Sequence, residues 1–214
     1  LLTAALAAIA CAPAGSAESK PKAAPAATAA AAAPDAKAAT SGVYTPDPAH
    51  RHLLFSYQHQ GYSTSYVRWR DWTGELNWNA EHPEKSTISV TIDAAKVDSG
   101  VDVFDGHLKS DKFFDAANYP TITFKSTSVQ PKGPNKGVIV GDLTIRGVTV
   151  PASLDVTFNK AAFEQRGNIH KIGFSGKSVV KRSSWGLDAA IPFVGDEVTI
   201  TIEAEFLGPK TAPQ

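Results

Sequence analysis

The 214-residue sequence lacks methionine, has a single cysteine and carries no net charge. One cysteine, Cys11, cannot form an internal disulfide or a cysteine-based zinc site, so both kinds of scaffold are excluded. Lys plus Arg total 21, and Asp plus Glu also total 21. Without an excess of positive charge, the chain has no overall footprint for nucleic acid, and we expect no such partner. The hydrophobic fraction of 43% is enough for one well-buried domain.

Residues 1–11 resemble a truncated export signal, and the missing initiator methionine fits that interpretation. The stretch from Leu1 to Ala10 is apolar, and about ten residues suit a signal peptide but are too few to cross a bilayer. Small residues before Cys11 resemble a lipobox, which predicts lipidation there and a membrane tether. Ordinary cleavage at Ala10 or after Ala14 is the alternative. Both predict a bacterial periplasmic protein, either soluble or lipid-anchored.

The next segment, residues 12–42, is rich in Ala, Pro and Lys and has no apolar periodicity through residue 40. Such a composition cannot bury enough surface to offset the entropy of ordering, so we predict a disordered linker. A flexible chain of about 30 residues reaches about 30 Å, enough to hold a folded domain away from a membrane. Residues 43–207 then form the predicted barrel domain, and residues 208–214 form a tail.

Polar and apolar residues alternate through most of the chain after residue 43. Ile88, Val90 and Ile92 share one face of a predicted strand, and Val198 and Ile200 share one face of another. Strands with one apolar face are typical of antiparallel sheets. We count about eight of them with almost no helical crossovers. One of these strands runs from Tyr66 to Asn79, and others carry Phe158, Phe174 or Phe206 on their apolar face. The predicted fold class is all-β, an eight-stranded antiparallel barrel.

One run between two of these strands breaks the alternation. Val101, Phe104 and Leu108 recur at helical spacing, so we predict a short helix over residues 101–110. Pro120 then forces the preceding residue into an extended conformation. With the aromatic pair Phe113-Phe114, the run predicts a helical flap (residues 101–120) lying over an apolar surface.

This run resembles the signature of the YceI-like family, and motifs in the same order extend the resemblance over residues 43–207. The matching segments are Asp105-Gly106-His107-Leu108, Phe113-Phe114-Asp115, Tyr119-Pro120-Thr121-Ile122-Thr123-Phe124, Tyr44-x-x-Asp47-Pro48-x-His50, Gly141-Asp142-Leu143-Thr144-Ile145-Arg146-Gly147-Val148-Thr149 and Gly195-Asp196-Glu197-Val198. The resemblance implies a lipocalin-like barrel that holds an isoprenoid or another long lipid. Two positions depart from the family pattern: Phe104 replaces an Arg, and Arg51 replaces a Ser. If relatives hold a ligand head group with those residues, this chain would hold a different one.

The apolar pattern does not decide whether the lumen is filled. Small residues at Gly141, Ala152, Gly176 and Ala204 fall on predicted inward faces, which suits a hollow barrel, or one where neighbouring rings fill the gaps. The resemblance favours the hollow alternative. We expect the ligand to contact Phe55, Tyr57, Trp69, Trp72, Trp78, Val90, Phe113, Phe114, Phe124 and Leu143, although several of these could simply pack the sheet against the flap.

Four polar residues are predicted to contact a head group or orient the flap: His50, Asp105, His107 and Arg182. The pair His50 and His52 shares a strand face, but no Cys or His-x-x-x-His completes a ligand set, so we predict no metal. Asp105, Asp111 and Asp115 could act as acid and base, and Ser183 or Ser184 as nucleophile, yet no Gly-x-Ser-x-Gly elbow supports a serine. We predict no catalytic residues and no cofactor.

The sequence therefore predicts a protein that binds or transports a long-chain lipid without enzymatic chemistry: a polyisoprenoid, a quinone, or a fatty acid or amide. Two alternatives stay open. One is an envelope stress or interaction protein with a filled core, and the other is an enzyme that acts on a lipid head group. The identity of the lipid and the oligomeric state, a homodimer included, also stay open.

Overall fold

The computed structural model describes residues 34–210, and its main elements are ten strands and one α-helix. The strands are β1 (Gly42–His59), β2 (Ser63–Trp69), β3 (Trp72–Trp78), β4 (Thr87–Asp93), β5 (Val97–Asp98), β6 (Thr121–Pro131), β7 (Lys136–Ile145), β8 (Val148–Glu164), β9 (Ile169–Lys181) and β10 (Val194–Leu207), and the helix is α1 (Asp102–Lys109). Short 3-10 helices cover Ala36–Ala38, Pro83–Lys85, Ala94–Lys96 and Arg182–Trp185.

The strands form one antiparallel sheet in the order β10-β9-β8-β7-β6-β4-β3-β1-β2-β5, and β10 also pairs with β1. That last pairing closes the sheet, with Thr45 opposite Leu207 and His59 opposite Val194. Because β2 and β3 both run beside β1 and follow each other in the chain, they occupy one position in the wall. The result is a closed eight-stranded barrel, as the sequence predicts.

The sequence predicts one strand from Tyr66 to Asn79, but the structure breaks it at Arg70 and Asp71. The two halves have different partners: β2 pairs with β1 and β5, whereas β3 pairs with β4 and with the start of β1. The backbone of the break itself is bonded outside these ladders, since Arg70 N donates to Lys96 O at 3.1 Å. Alternation alone does not show where a strand changes partner.

The predicted helix is present as α1, with Val101 as its N-cap residue. Leu108 and Asp105 are its buried residues. Phe114, a few residues later, is also buried, whereas Phe113 is only half-buried. The flap therefore covers the end of the barrel with its helix and one of the two aromatic rings.

The packed part of the chain begins before the predicted linker ends at residue 42. Ala39 is completely buried, and Tyr44 Oη donates to Thr40 O at 2.7 Å. Ala80 N donates to Ser41 Oγ at 2.9 Å. At the other end, the predicted tail starts against β9, because Gly208 N donates to His170 O at 2.8 Å. Composition does not reveal these contacts, because single buried alanines and hydroxyls carry no periodic signal.

The predicted signal segment, Cys11 and most of the linker lie outside the described residues, as do the last four residues of the tail. Within residues 34–210, no helix has both the length and the apolar character that crossing a membrane requires.

Candidate functional site

A cavity of about 160 Å³ lies in the barrel lumen and is lined almost entirely by apolar surface. Two serines in the lining already use their hydroxyls within the protein, which keeps the cavity surface apolar. Ser178 Oγ donates to Ser153 O at 2.6 Å, and Ser175 Oγ donates to Glu203 Oε2 at 2.6 Å. The lining residues are Leu53, Trp69, Trp72, Leu76, Ile88, Val90, Ile92, Ile122, Phe124, Ile139, Leu143, Ile145, Ala152, Ser153, Leu154, Val156, Phe174, Ser175, Gly176, Ser178, Ile200, Ile202, Ala204 and Phe206.

The small inward residues have divided roles. Gly141 is covered by a ring, since a Cβ added there would lie 2.5 Å from the Phe124 ring and 2.5 Å from Lys125 O. Gly176, Ala152 and Ala204 instead line the cavity. One of the four gaps is thus filled by a neighbouring aromatic side chain, while the other three contribute to the open space. The lumen is partly filled and partly hollow.

Aromatic rings pack together at the flap end of the lumen. The Phe55 and Trp69 ring centroids are 4.7 Å apart, and Phe114 stands edge-on to both, at 5.9 Å from Phe55 and 5.3 Å from Trp69. Tyr57 extends the cluster, with its centroid 6.3 Å from that of Phe55. Burial raises the pKa of the Tyr57 phenol. The flap is therefore held on the barrel by Phe114.

A second aromatic cluster lies at the opposite end of the lumen. The Trp78 centroid lies 5.6 Å from that of Phe158 and 6.1 Å from that of Phe174, which in turn lies 6.0 Å from that of Phe206. Tyr44 is fully buried at this end, and burial raises its pKa to about 12. Alternation placed Phe158, Phe174 and Phe206 on inward faces, but the predicted site omitted them.

Half of the predicted ligand contacts line the cavity: Trp69, Trp72, Val90, Phe124 and Leu143. Three others, Phe55, Phe114 and Trp78, belong to the two ring clusters, Tyr57 adjoins one of them, and Phe113 packs on the edge of the core. The predicted set thus separates into wall residues and residues of the ends. Only the register of the strands and the closure of the barrel decide which residues line the wall and which lie at the ends.

Asp105 fixes the start of the flap. Its Oδ1 accepts hydrogen bonds from Ser99 N at 2.7 Å and Ser99 Oγ at 2.5 Å. Nearby, Asp98 accepts from Arg68 Nε at 2.6 Å and Arg70 Nε at 2.7 Å, and these donors, Arg70 first, hold the pKa of Asp98 well below its usual range. Asp98 therefore ties the chain before α1 to Arg68 of β2 and to Arg70, and Asp105 ties α1 to that same chain.

The ring of His107 makes no hydrogen bond within the described residues, and its carbonyl accepts from Ser110 N and Ser110 Oγ at the end of α1. His107 is exposed, so its side chain lies on the outer side of the flap.

The guanidinium of Arg182 is buried and bonds to one backbone carbonyl of the loop between β9 and β10 and to the carbonyls of the first two residues of β10. Nε donates to Gly195 O at 2.9 Å, Nη2 to Val194 O at 2.9 Å, and Nη1 to Leu187 O. Burial lowers the pKa of this guanidinium. Because all three nitrogens already have acceptors, Arg182 acts here as a clamp on the loop. Ser183 beside it donates to Asp196 through N and Oγ, both at 2.9 Å.

Comparison with known proteins agrees with this geometry. The family model described as the YceI-like domain matches residues 44–206. This chain belongs to the YceI-like family. A UPF0312 protein of Azotobacter vinelandii is 31% identical over 167 residues, which cover 78% of this chain and 86% of the relative.

Two solved structures share the YceI-like fold with this chain. The crystal structure of Burkholderia cenocepacia BcnA has a TM-score of 0.68 and 23% identity, covering 75% of this chain and 98% of BcnA. A polyisoprenoid-binding domain from Saccharophagus degradans has a TM-score of 0.61 and 14% identity, covering 79% of this chain and 100% of that domain. At these identities the likeness establishes the fold.

The two departures from the YceI-like pattern have different surroundings. Phe104 packs against the core at the base of the flap. Arg51 reaches across the barrel wall, where Nη1 donates to Trp72 O and Nη2 contacts Asp71 Oδ1 at 3.2 Å. Its guanidinium carbon lies 5.9 Å from the centroid of the Trp72 ring. Arg51 was noted in the sequence only as a departure, and the fold brings it beside a cavity-lining residue.

His50 lies away from the flap. Its Nδ1 is 3.0 Å from Asp47 Oδ2 and 3.8 Å from Glu205 Oε2. Lys171 Nζ is 2.8 Å from Glu205 Oε2. Burial would raise the pKa of Asp47, but the contact with His50 and the hydrogen bond from the Ala49 amide keep the pKa of Asp47 below its usual value.

The ligand atoms of Asp47, His50 and Glu205 lie within 4.8 Å of one another, so a metal ion could use them. Lys171 already supplies a cation to both carboxylates. This cluster joins β1, β9 and β10 at a place away from the flap. Of the two roles predicted for His50, contact with a head group stays a prediction.

Proposed function

We propose that this YceI-like protein binds a long apolar chain, an isoprenoid or another lipid, inside the barrel and performs no covalent chemistry on it. The observation that carries the proposal is the cavity of about 160 Å³ with its apolar lining. The structural neighbour from Saccharophagus degradans, described as a polyisoprenoid-binding domain, supports the choice of ligand class.

The size of the cavity limits what it holds without rearrangement. A protein cavity of about 150 Å³ accepts benzene, so this one accommodates a section of about six carbons. Each buried methylene contributes about 0.8 kcal/mol, and six contribute about 5 kcal/mol. Association costs on the order of 4 to 15 kcal/mol, so six carbons bind weakly and a longer chain binds better.

A longer chain must extend past one of the ring clusters. The flap-end cluster is the better route, because its Phe114 belongs to a segment that is anchored to the barrel by few elements. Movement of the flap with Phe114 would lengthen the apolar slot while the eight-stranded wall stays intact. We infer that the chain enters from this end.

Three of the five candidate acid-base and nucleophilic residues already have structural partners: Asp105, Ser183, and Asp115, whose carboxylate accepts from Asn118 Nδ2 at 3.0 Å. Asp105 accepts two hydrogen bonds from Ser99, and Ser183 is bonded to Asp196. These contacts support binding rather than catalysis.

The apolar segment at residues 1–10 supports a periplasmic location, with or without a lipid on Cys11. Cell fractionation and the mass of the mature amino terminus test that part of the proposal.

Lipid extraction tests the function directly. The full-length protein, purified from its envelope fraction, should release a long-chain lipid that mass spectrometry detects. Ala152→Phe places a ring in the cavity and should reduce both the recovered lipid and the uptake of an added chain. Ala162→Phe adds the same ring on the outer face and is the matched control. Absence of lipid in the parent protein together with no uptake of added chains would contradict the proposal.

A further inference from the structure

The barrel wall has an unpaired seam between β1 and the β2–β3 strand. On this side, β1 pairs with β3 over Gly42–Tyr44 and with β2 over Leu54–His59, and residues 45–53 between them have no ladder partner there. The ladder on the other side of β1 is also interrupted, because Pro46 lies opposite Phe206 but the next pair joins Arg51 to Ala204. From Arg51 onward β1 is again paired with β10, so at this level the wall lacks a backbone ladder only on the side that faces β2 and β3.

Arg51 is the side chain that crosses this seam. Its contacts with Trp72 O and with Asp71 Oδ1 join β1 to the opposite strand, and its side chain is 17% exposed. Trp72 is only 2% exposed and lines the cavity. The charged side chain therefore lies directly outside an apolar lumen, with the Trp72 ring between them.

Two hydrogen-bond donors at this place have no acceptor among the described residues: Arg51 Nε and Trp72 Nε1. A buried donor without a partner is destabilising, and such groups in native structures call for an explanation. Trp185 shows the usual outcome, since its Nε1 donates to Leu143 O at 3.0 Å. Trp69 and Trp78 also have unpaired Nε1 atoms, but each lies in a ring cluster.

We propose that Arg51 and Trp72 form a subsite for an oxygen acceptor on the head group of the lumen ligand. This deepens the proposed function and rests on it: the ligand is an apolar chain that ends in a carbonyl or carboxylate oxygen, not a plain hydrocarbon. Both nitrogens are shielded from solvent, so the oxygen reaches them when the Arg51 side chain moves within the seam. The side chain of Asp71 is 54% exposed, so water can replace its contact with Arg51 when Arg51 moves.

Three chains of equal length test the subsite: dodecanoic acid, methyl dodecanoate and dodecane, titrated into the full-length protein with intrinsic tryptophan fluorescence as the signal. We expect at least one oxygen-bearing chain to bind about ten-fold or more tightly than dodecane, since hydrogen bonds with a charged donor contribute about 1.5–3 kcal/mol. Preference for the acid over the ester identifies a carboxylate head group, and equal affinity identifies a neutral carbonyl.

Trp72→Phe removes one donor and keeps a ring, and Arg51→Met removes the other and keeps an unbranched side chain. Each removes one of the two donors, so each should lower the ratio of the affinity for the oxygen-bearing chain to the affinity for dodecane. Trp72 also lines the cavity, so the readout is this ratio within each variant and not the affinity for dodecane alone. Arg166→Met, in the exposed β8–β9 turn, removes an arginine far from the seam and should leave the ratio unchanged. If one variant fails to fold, the affinity ratios of the other variant and of the wild-type protein still test the subsite.

Equal binding of all three chains by the wild-type protein would overturn the subsite and leave the proposed function standing. The same conclusion follows if neither folded variant changes the ratio. If the wild-type protein binds none of the chains, the proposed function fails and the subsite fails with it.

Discussion

Phe114→Ala tests whether one ring holds the flap on the barrel. Phe114 is 8% exposed and contacts Phe55 and Trp69 edge-on, at centroid distances of 5.9 and 5.3 Å. Truncating a buried Phe to Ala costs about 3–5 kcal/mol. The site lies at the end of the barrel, where neighbours and water can fill part of the space, so we expect about 3 kcal/mol.

A loss of that size should lower Tm by about 6–12 °C in a domain of this length. Urea unfolding followed by tryptophan fluorescence measures it, because Trp69 reports on the same contact. The unfolding midpoint should fall while the slope with denaturant stays constant.

Phe113→Ala is the matched control, since the neighbouring ring is half-buried and its loss should cost about 1 kcal/mol. The assignment of Phe114 as the anchor would be refuted by equal losses for the two variants, or by a larger loss for Phe113→Ala. Phe114→Ala should also speed the release of a bound chain, which stopped-flow displacement measures.

Two further substitutions test other parts of the fold. Gly141→Ala places a Cβ 2.5 Å from the Phe124 ring and 2.5 Å from Lys125 O, so it should destabilise the barrel by about 1–3 kcal/mol. Gly106 lies in open space on α1, so Gly106→Ala should stabilise the protein slightly. Thermal unfolding of the two variants measures the difference between them. Asp98→Asn should destabilise the protein at pH 7. Its folded-state pKa lies below the unfolded value of about 3.9, so the stability from ionised Asp98 is present above that value and is lost as pH falls. The difference in urea midpoint between wild type and variant should therefore shrink from pH 5 to pH 2, and a constant difference would contradict the assigned cause.

Some of the structure could be predicted because its signal is local. A strand with one buried face must alternate, so Ile88, Val90 and Ile92 identify β4 without knowledge of its partners. The helix in the flap is equally local, since Val101, Phe104 and Leu108 recur at helical spacing.

Other features could not be predicted because they depend on pairs of strands. The break at Arg70–Asp71 arises where the chain changes partner, and nothing in the alternation marks that point. Arg182 has the side-chain chemistry of a head-group donor, yet its guanidinium donates to the backbone carbonyls of Leu187, Val194 and Gly195. His50 has a local partner in Asp47, but Glu205, 3.8 Å from its Nδ1, is brought near only by barrel closure.

The sequence by itself determined the closed antiparallel barrel, the flap and membership of the YceI-like family, because alternation and ordered motifs act over a few neighbouring residues. Tertiary structure alone decided how much of the lumen stays open. Ring volumes from distant strands, such as Trp78, Phe158 and Phe174, combine only once the register is fixed. The same register leaves the seam at Arg51 and the unpaired donors Arg51 Nε and Trp72 Nε1. Whether a donor has an acceptor depends on all the residues packed around it, and these come from several strands.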